Sequence, residues 1–332
     1  MNYSSKKTKI CFIGSLSHIF TYNDYLILKK HFEIEIIEPP KNVLNWIRYP
    51  FKIKKLIKKF DLIFCWFAGW HSFFPVLFAN KNNIKSIVVA GGYDAVNVPE
   101  INYGAFSNLK ERIPAKYVLK NSCLVLAVSE FTKKEIIDKV QPRAIKIIYN
   151  GVKTDKFKSS KKKENIITTI GSVNKIRSKI KGLDTFAKIS LSFPSYRFII
   201  IGDKEINEEK RLKQINPNLF FTGRLNHDEV LLWLEKTKIY CQLSYIESFG
   251  LSLAEAMSCN CVPIVTDKGA LPEVIGELGF SVPYADVKAT INAVNKAINF
   301  DKKRLNNIRN RIMNNFDLKI RENELVKTIE EI

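Results

Sequence analysis

Short apolar runs that alternate with amphipathic stretches of helical length constrain the fold most strongly. In the first half of the chain these runs are KICFIG, EIEII, DLIFCWF, SIVVA, LVLAVS and IKIIYN. In the second half they are NIITTIG, YRFIIIG, LFFTG, IYCQLS and VPIVT. Most of them are apolar throughout, which is typical of parallel strands that are covered by helices on both faces. The sequence therefore predicts an α/β fold.

The length of the chain favours two domains. Its 332 residues exceed what one hydrophobic core usually serves. A polar, basic stretch without apolar periodicity, FKSSKKKEN at 157–165, separates the halves. We predict two Rossmann-like domains, residues 1–157 and 164–311, each built on a parallel sheet. A final helical segment of about 312–332 could pack back on the N-terminal domain.

The positive charge is concentrated in the first half. Of the net charge of +20, residues 1–160 carry +14 and residues 161–332 carry +6. An anionic partner of the first half is therefore one interpretation, and a lysine-rich composition that reflects an AT-rich genome is the other. No aromatic-interleaved basic motif occurs, so we expect no nucleic-acid partner. No GxGxxG or GxxxxGK[ST] occurs either, which argues against a dinucleotide dehydrogenase or a P-loop NTPase.

The cysteines and one apolar segment bear on location. Six cysteines lie mostly inside apolar runs and form no CxxC pair, as expected of reduced thiols in a cytosolic protein. The segment 63–79 is nearly apolar, but Gly69, His71, Ser72 and Pro75 interrupt it. A strand, a loop and a helix start are therefore favoured over a transmembrane helix. The apolar core of the N-terminus is too short for a signal peptide, so we expect a cytoplasmic protein.

The stretch ESFGLSLAEAM carries two acids around a predicted helix start. Glu247 precedes the helix, and Glu255 lies more than one turn inside it. The amides near Phe249, Gly250 and Leu251 have no partners within a helix, so they form a site suited to phosphate. Carboxylates accept hydrogen bonds from hydroxyls. Two acids that flank a phosphate site predict a ligand with hydroxyls at both ends, namely a nucleotide sugar.

Cations that suit the same ligand come earlier in the chain. In GSVNKIRSKIKGLDTF (171–186), Gly171 is expected at a strand end, followed by a basic loop. Arg177 and Lys181 are predicted to reach the diphosphate and stabilise it as it departs, although both could also be exposed loop cations. No Asp-x-Asp occurs, and this is the usual device for holding Mg²⁺ or Mn²⁺ on a nucleotide diphosphate. We therefore expect no metal and no other cofactor.

These motifs together resemble family 4 glycosyltransferases, which are retaining enzymes of the GT-B fold with two Rossmann-like domains facing a central cleft. The resemblance rests on the spacing of Glu247 and Glu255 (E-x7-E), on the FG between them and on EAM. It also rests on motifs spread along the chain: KGLD (181–184), ALPEVI (270–275), AVSEFTKKEI (127–136) and YNGVKTDKF (149–157). The stretch GGYDAVNVPEINYG (91–104) is similar to a subset of the family.

The resemblance implies roles for residues of the donor side. Glu255 would hold the ribose hydroxyls, Glu247 would contact the donor sugar, and Arg177 and Lys181 would bind the diphosphate. The donor, a UDP- or GDP-sugar, would lose its sugar to a hydroxyl acceptor with retention, and the leaving phosphate would take the proton. The residues expected to line the donor site are Glu255, Ser248, Phe249, Gly250, Leu251 and Gly171. A nucleotide-sugar epimerase, a glucan synthase and a non-catalytic basic membrane- or nucleic-acid-binding module are alternatives.

Acceptor-side candidates follow strands of the first domain, because ligands of open parallel sheets bind beyond the carboxyl ends of the strands. Asp94, after a double glycine, is a candidate catalytic carboxylate, and Tyr93 precedes it. His71 follows another strand, and a packed histidine is an equal interpretation of it. Gly14 and His18 follow the first strand.

The segment RYPFKIKKLIKKF (48–60) predicts a basic amphipathic helix entered through Pro50. Its apolar residues follow helical spacing: Ile53, Leu56, Ile57 and Phe60. Its lysines surround them: Lys52, Lys54, Lys55, Lys58 and Lys59. A helix packed on its sheet with a solvated cationic face is one interpretation. A surface that rests on anionic lipid is the other, and it favours a lipid-linked or cell-surface glycan acceptor and a peripheral membrane protein.

Overall fold

The structure is a computed structural model that describes residues 7–157 and 162–332. It divides into two compact units. The N-terminal unit comprises the chain up to Asn150 together with Lys319–Ile332, and the C-terminal unit comprises Gly151–Leu318. The sequence 157–165, which we expected to join two domains, lies partly outside the described residues.

The N-terminal unit contains a six-stranded parallel sheet in the order β2-β1-β3-β4-β5-β6. The strands are β1 Lys9–Ile13, β2 Glu33–Ile37, β3 Leu62–Trp66, β4 Lys85–Ala90, β5 Leu124–Ala127 and β6 Ile145–Ile147. The first five helices are α1 Ile19–His31, α2 Val43–Leu56, α3 Trp70–Lys81, α4 Leu109–Asn121 and α5 Glu130–Ile137. All six strands predicted for this half are confirmed.

One helical layer covers a face of this sheet. Ile53 of α2, Val76 of α3, Val118 of α4 and Ile136 of α5 belong to the same buried cluster as Val88 of β4. The apolar segment 63–79 is divided as predicted, because β3 ends at Trp66 and α3 begins at Trp70. Within residues 7–157 and 162–332, no helix combines the length and the apolar character that crossing a bilayer requires.

The C-terminal unit contains a second six-stranded parallel sheet, in the order β12-β11-β10-β7-β8-β9. Its strands are β7 Glu164–Ile170, β8 Arg197–Ile201, β9 Phe220–Phe221, β10 Thr237–Gln242, β11 Val262–Thr266 and β12 Phe280–Val282. Its helices are α6 Lys175–Lys181, α7 Leu183–Ser190, α8 Ile206–Ile215, α9 His227–Lys236, α10 Leu251–Ser258, α11 Leu271–Ile275, α12 Val287–Ile298 and α13 Leu305–Asn315. This strand order is that of the Rossmann fold.

Three local predictions are wrong. Strand β12 was missed, because only one of its three residues is buried. The basic stretch after Gly171 is helix α6 and not a loop, because Asn174 caps it by accepting the amide of Arg177 at 2.8 Å. Helix α2 is not entered through Pro50. It begins at Val43, capped by the side chain of Asn42, and Pro50 lies inside it.

The final helix, α14, spans Leu318–Glu331, and a buried ion pair attaches it to the N-terminal unit. Arg321 contacts both oxygens of Asp24, with Nε to Oδ1 and Nη2 to Oδ2 each at 2.6 Å. Its Nη1 donates to the carbonyls of Ile148 and Tyr149, and Trp66 donates to Asp24 Oδ2 at 2.9 Å. These contacts hold α14 on the N-terminal unit, because removing either charge would leave the other buried without its counter-ion.

All six cysteines are free thiols, as predicted, and five of them are buried. Burial raises the pKa of Cys11 to about 12. The five buried thiols, for each of which burial raises the pKa, are therefore protonated core residues.

Candidate active site

Helix α6 and the loop after β10 meet at the carboxyl ends of two neighbouring strands, β7 and β10. The amide of Tyr245 donates to the carbonyl of Ile180 at 2.7 Å. Gly182, which ends α6, has a φ of +65°, and a Cβ at this position would overlap the carbonyl oxygen of Leu243. Only glycine combines this conformation with so close an approach. The KG of the sequence motif therefore fixes α6 against the loop that carries Glu247.

The contact between these two elements is an ion pair. Lys181 Nζ lies 2.5 Å from Glu247 Oε1. The same oxygen accepts Gln242 Nε2 at 2.8 Å and Ser244 Oγ at 2.9 Å. Burial alone would raise the pKa of Glu247, but the charge of Lys181 and these hydrogen bonds outweigh it and hold the pKa below its usual value. Glu247 is therefore a carboxylate, and Lys181 is its counter-ion.

Helix α10 begins at Leu251, four positions after Glu247, as predicted. Gly250 precedes it with a φ of +87° and no side-chain cap. The first-turn amides of a helix have no acceptor inside the helix, so this start remains suited to an anion. Ser248 and Leu251 are half-buried here. Phe249 is only 3% exposed and packs on Phe316, with ring centroids 5.4 Å apart, so its side chain belongs to the core and does not line a donor site.

Glu255 lies inside α10, where it is 8% exposed. Burial raises its pKa to about 8. His227 of α9 lies beside it, with Nε2 3.6 Å from Glu255 Oε1, and burial lowers the pKa of this histidine. The sequence reading missed His227. The available signal was the helix-start pattern NHDE, in which Asn226 and Glu229 form a capping box and so place His227 in the first turn.

Gly171 and Arg177 differ in their relation to this site. Gly171 follows β7, and a Cβ there would lie 3.0 Å from Lys181 Cγ, so the glycine leaves room for the lysine stem. Arg177 is exposed in the first turn of α6. In the described ranges 7–157 and 162–332, no hydrogen bond or ion pair joins its side chain to Lys181 or Glu247.

A pocket of about 380 Å³ lies at the carboxyl ends of β3 and β4 in the N-terminal unit. It is mainly aromatic, with Trp46, Phe67, Trp70 and Tyr93 in its lining, and it includes Asp94. Asp94 is 1% exposed. Its Oδ2 accepts the amide of Ala68, and its Oδ1 accepts the amide of Gly92, each at 2.8 Å. Burial raises its pKa to about 6 against the effect of these amides.

Two further acceptor-side candidates, His71 and Tyr93, line this pocket, whereas His18 does not. His71 lines it, and its Nε2 donates to the carbonyl of Trp66 at 2.8 Å. Burial lowers its pKa, so the ring is neutral. The hydroxyl of Tyr93 donates to Glu111 at 2.7 Å. His18 is exposed and stacks on Phe20, with centroids 5.3 Å apart.

Gly14 does not line the pocket. It is buried after β1, and a Cβ there would lie 3.0 Å from the side chain of Thr21. The structure therefore groups His71, Tyr93 and Asp94 at one pocket, whereas Gly14 and His18 follow β1.

Two family models match consecutive parts of the chain. The model described as Glycosyltransferase Family 4 matches residues 17–156, and the model described as Glycosyl transferases group 1 matches residues 152–313. A curated relative is the phosphatidylinositol N-acetylglucosaminyltransferase GPI3 subunit of Saccharomyces cerevisiae, which is 28% identical over 200 residues. The match covers 55% of this chain and 44% of that protein, so this chain spans less than half the length of its curated relative.

Solved structures share the architecture. Sucrose-phosphate synthase from Thermosynechococcus elongatus superposes with a TM-score of 0.79 at 13% identity, over 98% of this chain and 99% of that one. Anabaena HepE in complex with UDP and glucose superposes with a TM-score of 0.76 at 17% identity, over 98% and 100%. At these identities the likeness shows the fold alone, and that fold is GT-B. With both family models matched in order along it, the chain belongs to the family 4 glycosyltransferases.

Proposed function

We propose that the chain transfers a sugar from a UDP- or GDP-sugar to a hydroxyl of a lipid-linked or cell-surface acceptor, with retention and without a metal ion. The observation that carries this proposal is the Lys181–Glu247 pair beside the start of α10. It joins a cation and a carboxylate to first-turn amides that have no acceptor inside the helix, which are the groups that a diphosphate and a sugar hydroxyl need.

In this proposal the ion pair opens when donor binds. The diphosphate lies at the first turn of α10 and takes over Lys181, which is 20% exposed in its side chain and so within reach of a ligand. Arg177, which is exposed on the same helix as Lys181, adds a second cation. Glu247 then accepts hydrogen bonds from the hydroxyls of the donor sugar. Stabilising the negative charge that develops on the leaving diphosphate lowers the barrier.

Glu255 is assigned to the ribose. With a pKa of about 8, its carboxyl group is protonated at neutral pH in the ligand-free protein. A neutral carboxyl group can donate one hydrogen bond and accept another, which suits a diol. His227 Nε2 lies 3.6 Å from Glu255 Oε1, just beyond hydrogen-bond distance.

The acceptor is assigned to the aromatic pocket of the N-terminal unit. The yeast relative is named for phosphatidylinositol, a lipid that carries hydroxyls. In the proposed reaction the acceptor hydroxyl attacks the anomeric carbon on the face that the diphosphate leaves. The bond to the diphosphate breaks, and the leaving phosphate takes the hydroxyl proton, so no side chain is required as general base. We place this reaction at the cytoplasmic face of a membrane.

A nucleotide screen followed by product analysis tests the proposal. Thermal unfolding is measured with UDP, GDP and ADP, and the proposal expects one of them to raise the midpoint. The matching nucleotide sugar is then incubated with phosphatidylinositol, and the anomeric configuration of the product is read by NMR. Retention supports the proposal. An inverted product, or conversion of the donor to another nucleotide sugar without an acceptor, contradicts it.

A further inference from the structure

Helix α2 exposes a row of large apolar side chains. Val43 is 76% exposed, Leu44 62%, Ile47 64% and Phe51 74%. Their spacing of one, three and four residues places them along one side of the helix. Single exposed apolar residues are ordinary, but four on one helix edge form a patch that water does not favour. We call these four residues the apolar edge of α2.

The apolar edge is distinct from the side of α2, and of the turn that follows it, that packs in the core. Tyr49, Ile53, Ile57 and Phe60 are buried, each at most 3% exposed, and they belong to the core of the N-terminal unit. The apolar pattern recognised in the sequence is therefore the core-facing side. Residues 7–157 and 162–332 leave this edge uncovered, as its exposure of 62–76% shows.

Cations surround the apolar edge. Between positions 41 and 60 the sequence contains seven lysines and arginines and no acid. Arg48 and Lys52 line an open groove of about 490 Å³ with Asn42 and Asn45, next to the ion pair of Lys41 with Glu38 at 3.3 Å. Across the part of the chain that the structure describes, no ion pair or hydrogen bond holds the side chain of Arg48 or Lys52. Both are placed to meet an outside anion.

We propose that α2 docks on the surface of an anionic phospholipid bilayer. The apolar edge enters the boundary between headgroups and acyl chains, and Arg48, Lys52 and the neighbouring lysines contact the lipid phosphates. An unpartnered apolar row bordered by cations on one helix is the combination that such a surface requires. The proposal does not depend on glycosyl transfer.

A second copy of the chain is a poorer occupant of this surface. In a twofold dimer across α2, the same patch of both subunits would meet, so that cations such as Arg48 and Lys52 of one copy would lie near those of the other. Like charges at such a contact repel each other. Anionic lipid supplies the opposite charge and an apolar layer together.

Docking through α2 would bring the bilayer close to the aromatic pocket. Trp46 of α2 lies one position before Ile47 of the apolar edge and lines the pocket that contains Asp94. A bilayer on α2 would therefore lie beside that pocket. This last step rests on the proposed acceptor role of the pocket, whereas the docking itself does not.

Vesicle sedimentation tests the proposal. The full chain is mixed with vesicles of phosphatidylcholine alone and of phosphatidylcholine with phosphatidylglycerol. We expect binding only to the anionic vesicles, and weaker binding as salt rises. The Ile47→Ser/Phe51→Ser variant should bind at least about tenfold more weakly. The Arg48→Gln/Lys52→Gln variant should lose about 25-fold, which corresponds to about fivefold for each charge.

Matched variants elsewhere serve as controls. Ile206 and Leu232 are 71% and 58% exposed in the C-terminal unit, and the Ile206→Ser/Leu232→Ser variant should bind as the parent does. Lys288 and Lys296 are exposed on α12, so the Lys288→Gln/Lys296→Gln variant removes the same charge from another surface. A loss equal to that of the α2 variants would show general charge attraction and overturn the proposal.

Other results would also overturn it. These are equal binding of parent and Ile47→Ser/Phe51→Ser, equal binding to both kinds of vesicle, and a dimer in sedimentation velocity that the Ile47→Ser/Phe51→Ser variant dissociates. If a serine variant fails to fold, Phe51→Trp replaces it. Its added fluorescence should be quenched by brominated lipid in anionic vesicles, and an unquenched signal counts against insertion. Nucleotide binding by these variants should be unchanged, so a failure of docking is distinguishable from a failure of the proposed reaction.

Discussion

Lys181 Nζ lies 2.5 Å from Glu247 Oε1, although 66 positions separate the two residues in the sequence. Helix α6 supplies the lysine, and the loop before α10 supplies the glutamate. Both groups are about four-fifths buried in their side chains. A charge-assisted contact between partly buried groups is stronger than one at the surface. Lys181 therefore lowers the pKa of Glu247 although burial would raise it.

Replacing Glu247 by Gln should separate donor binding from transfer. The substitution removes the counter-ion of Lys181 and leaves the lysine available to a diphosphate. We expect UDP or GDP to bind as tightly as to the parent or more tightly, and kcat to fall by about tenfold or more if Glu247 acts on the sugar in the transition state. Isothermal titration calorimetry measures the dissociation constant of the nucleotide, and initial rates give kcat. Weaker nucleotide binding in Glu247→Gln would contradict the assigned division of roles.

The stability of the protein should depend on pH through Glu255. Its pKa in the folded protein is raised to about 8, above the usual value of 4.5. Between these values the unfolded chain releases a proton that the folded protein retains, so stability falls as pH rises towards 8. Glu255→Gln removes this effect. The free energy of unfolding of the variant relative to the parent should therefore increase by up to about 4–5 kcal/mol between acidic pH and pH 8.

Denaturant unfolding at several pH values measures this difference. Glu277 is an exposed glutamate of the same unit, and Glu277→Gln is the control. The control should show no such trend. A flat difference between Glu255→Gln and the parent would mean that the carboxyl group is ionised in the folded protein.

Gly182→Ala should disrupt the site through the backbone. The new Cβ would combine a φ of +65° with an overlap of the Leu243 carbonyl oxygen. Gly223→Ala is a matched control, since its φ is +74° but nothing lies within 4 Å of an added Cβ. We expect the control to lose about 1 kcal/mol of stability from backbone strain alone. Gly182→Ala should lose more and should also weaken nucleotide binding. Equal losses in the two variants would show that α6 does not need this close approach.

The buried pair of α14 should be sensitive to the loss of one partner. Asp24→Ala leaves the charge of Arg321 buried and uncompensated, and should cost about 3–5 kcal/mol of unfolding free energy. Asp24→Leu combined with Arg321→Met removes both charges and should recover most of that loss. Lys30→Ala is the control. It breaks the exposed contact with Glu322 at 3.2 Å and should cost less than about 1 kcal/mol. Urea unfolding curves measure all three.

The strands were predictable because most of them are buried on both faces and therefore apolar throughout. LIFCW and LVLA are fully buried in the sheet, whereas FSV of β12 offers too short a pattern to recognise. The sequence does not predict helix α6, because its seven residues are rich in lysine and arginine and have no clear apolar face. The two residues that bound the helix are nevertheless typical of helix ends. Asn174 is its N-cap, and Gly182 ends it in the left-handed conformation.

The site was predictable only in part, and for a physical reason. Motifs indicated Lys181, Glu247 and Glu255 one by one, but no local spacing shows that residues 66 positions apart form an ion pair. The place of His227 beside Glu255 and the exposure of the apolar edge of α2 were not predictable. Both depend on how each helix is oriented in the fold. Phe249 was predicted to line the donor site because it lies inside a functional motif. Its side chain instead packs on Phe316 in the core.

Nucleotide binding measured by calorimetry in the presence of a chelator tests the central claim most directly. The parent, Lys181→Ala and Lys179→Ala are titrated with UDP and GDP, and Lys179 is an exposed lysine of the same helix. We predict that one nucleotide binds the parent and Lys179→Ala alike, and that it binds Lys181→Ala at least about tenfold more weakly. Binding that appears only after Mg²⁺ or Mn²⁺ is added, or equal affinity in a folded Lys181→Ala, would contradict the account.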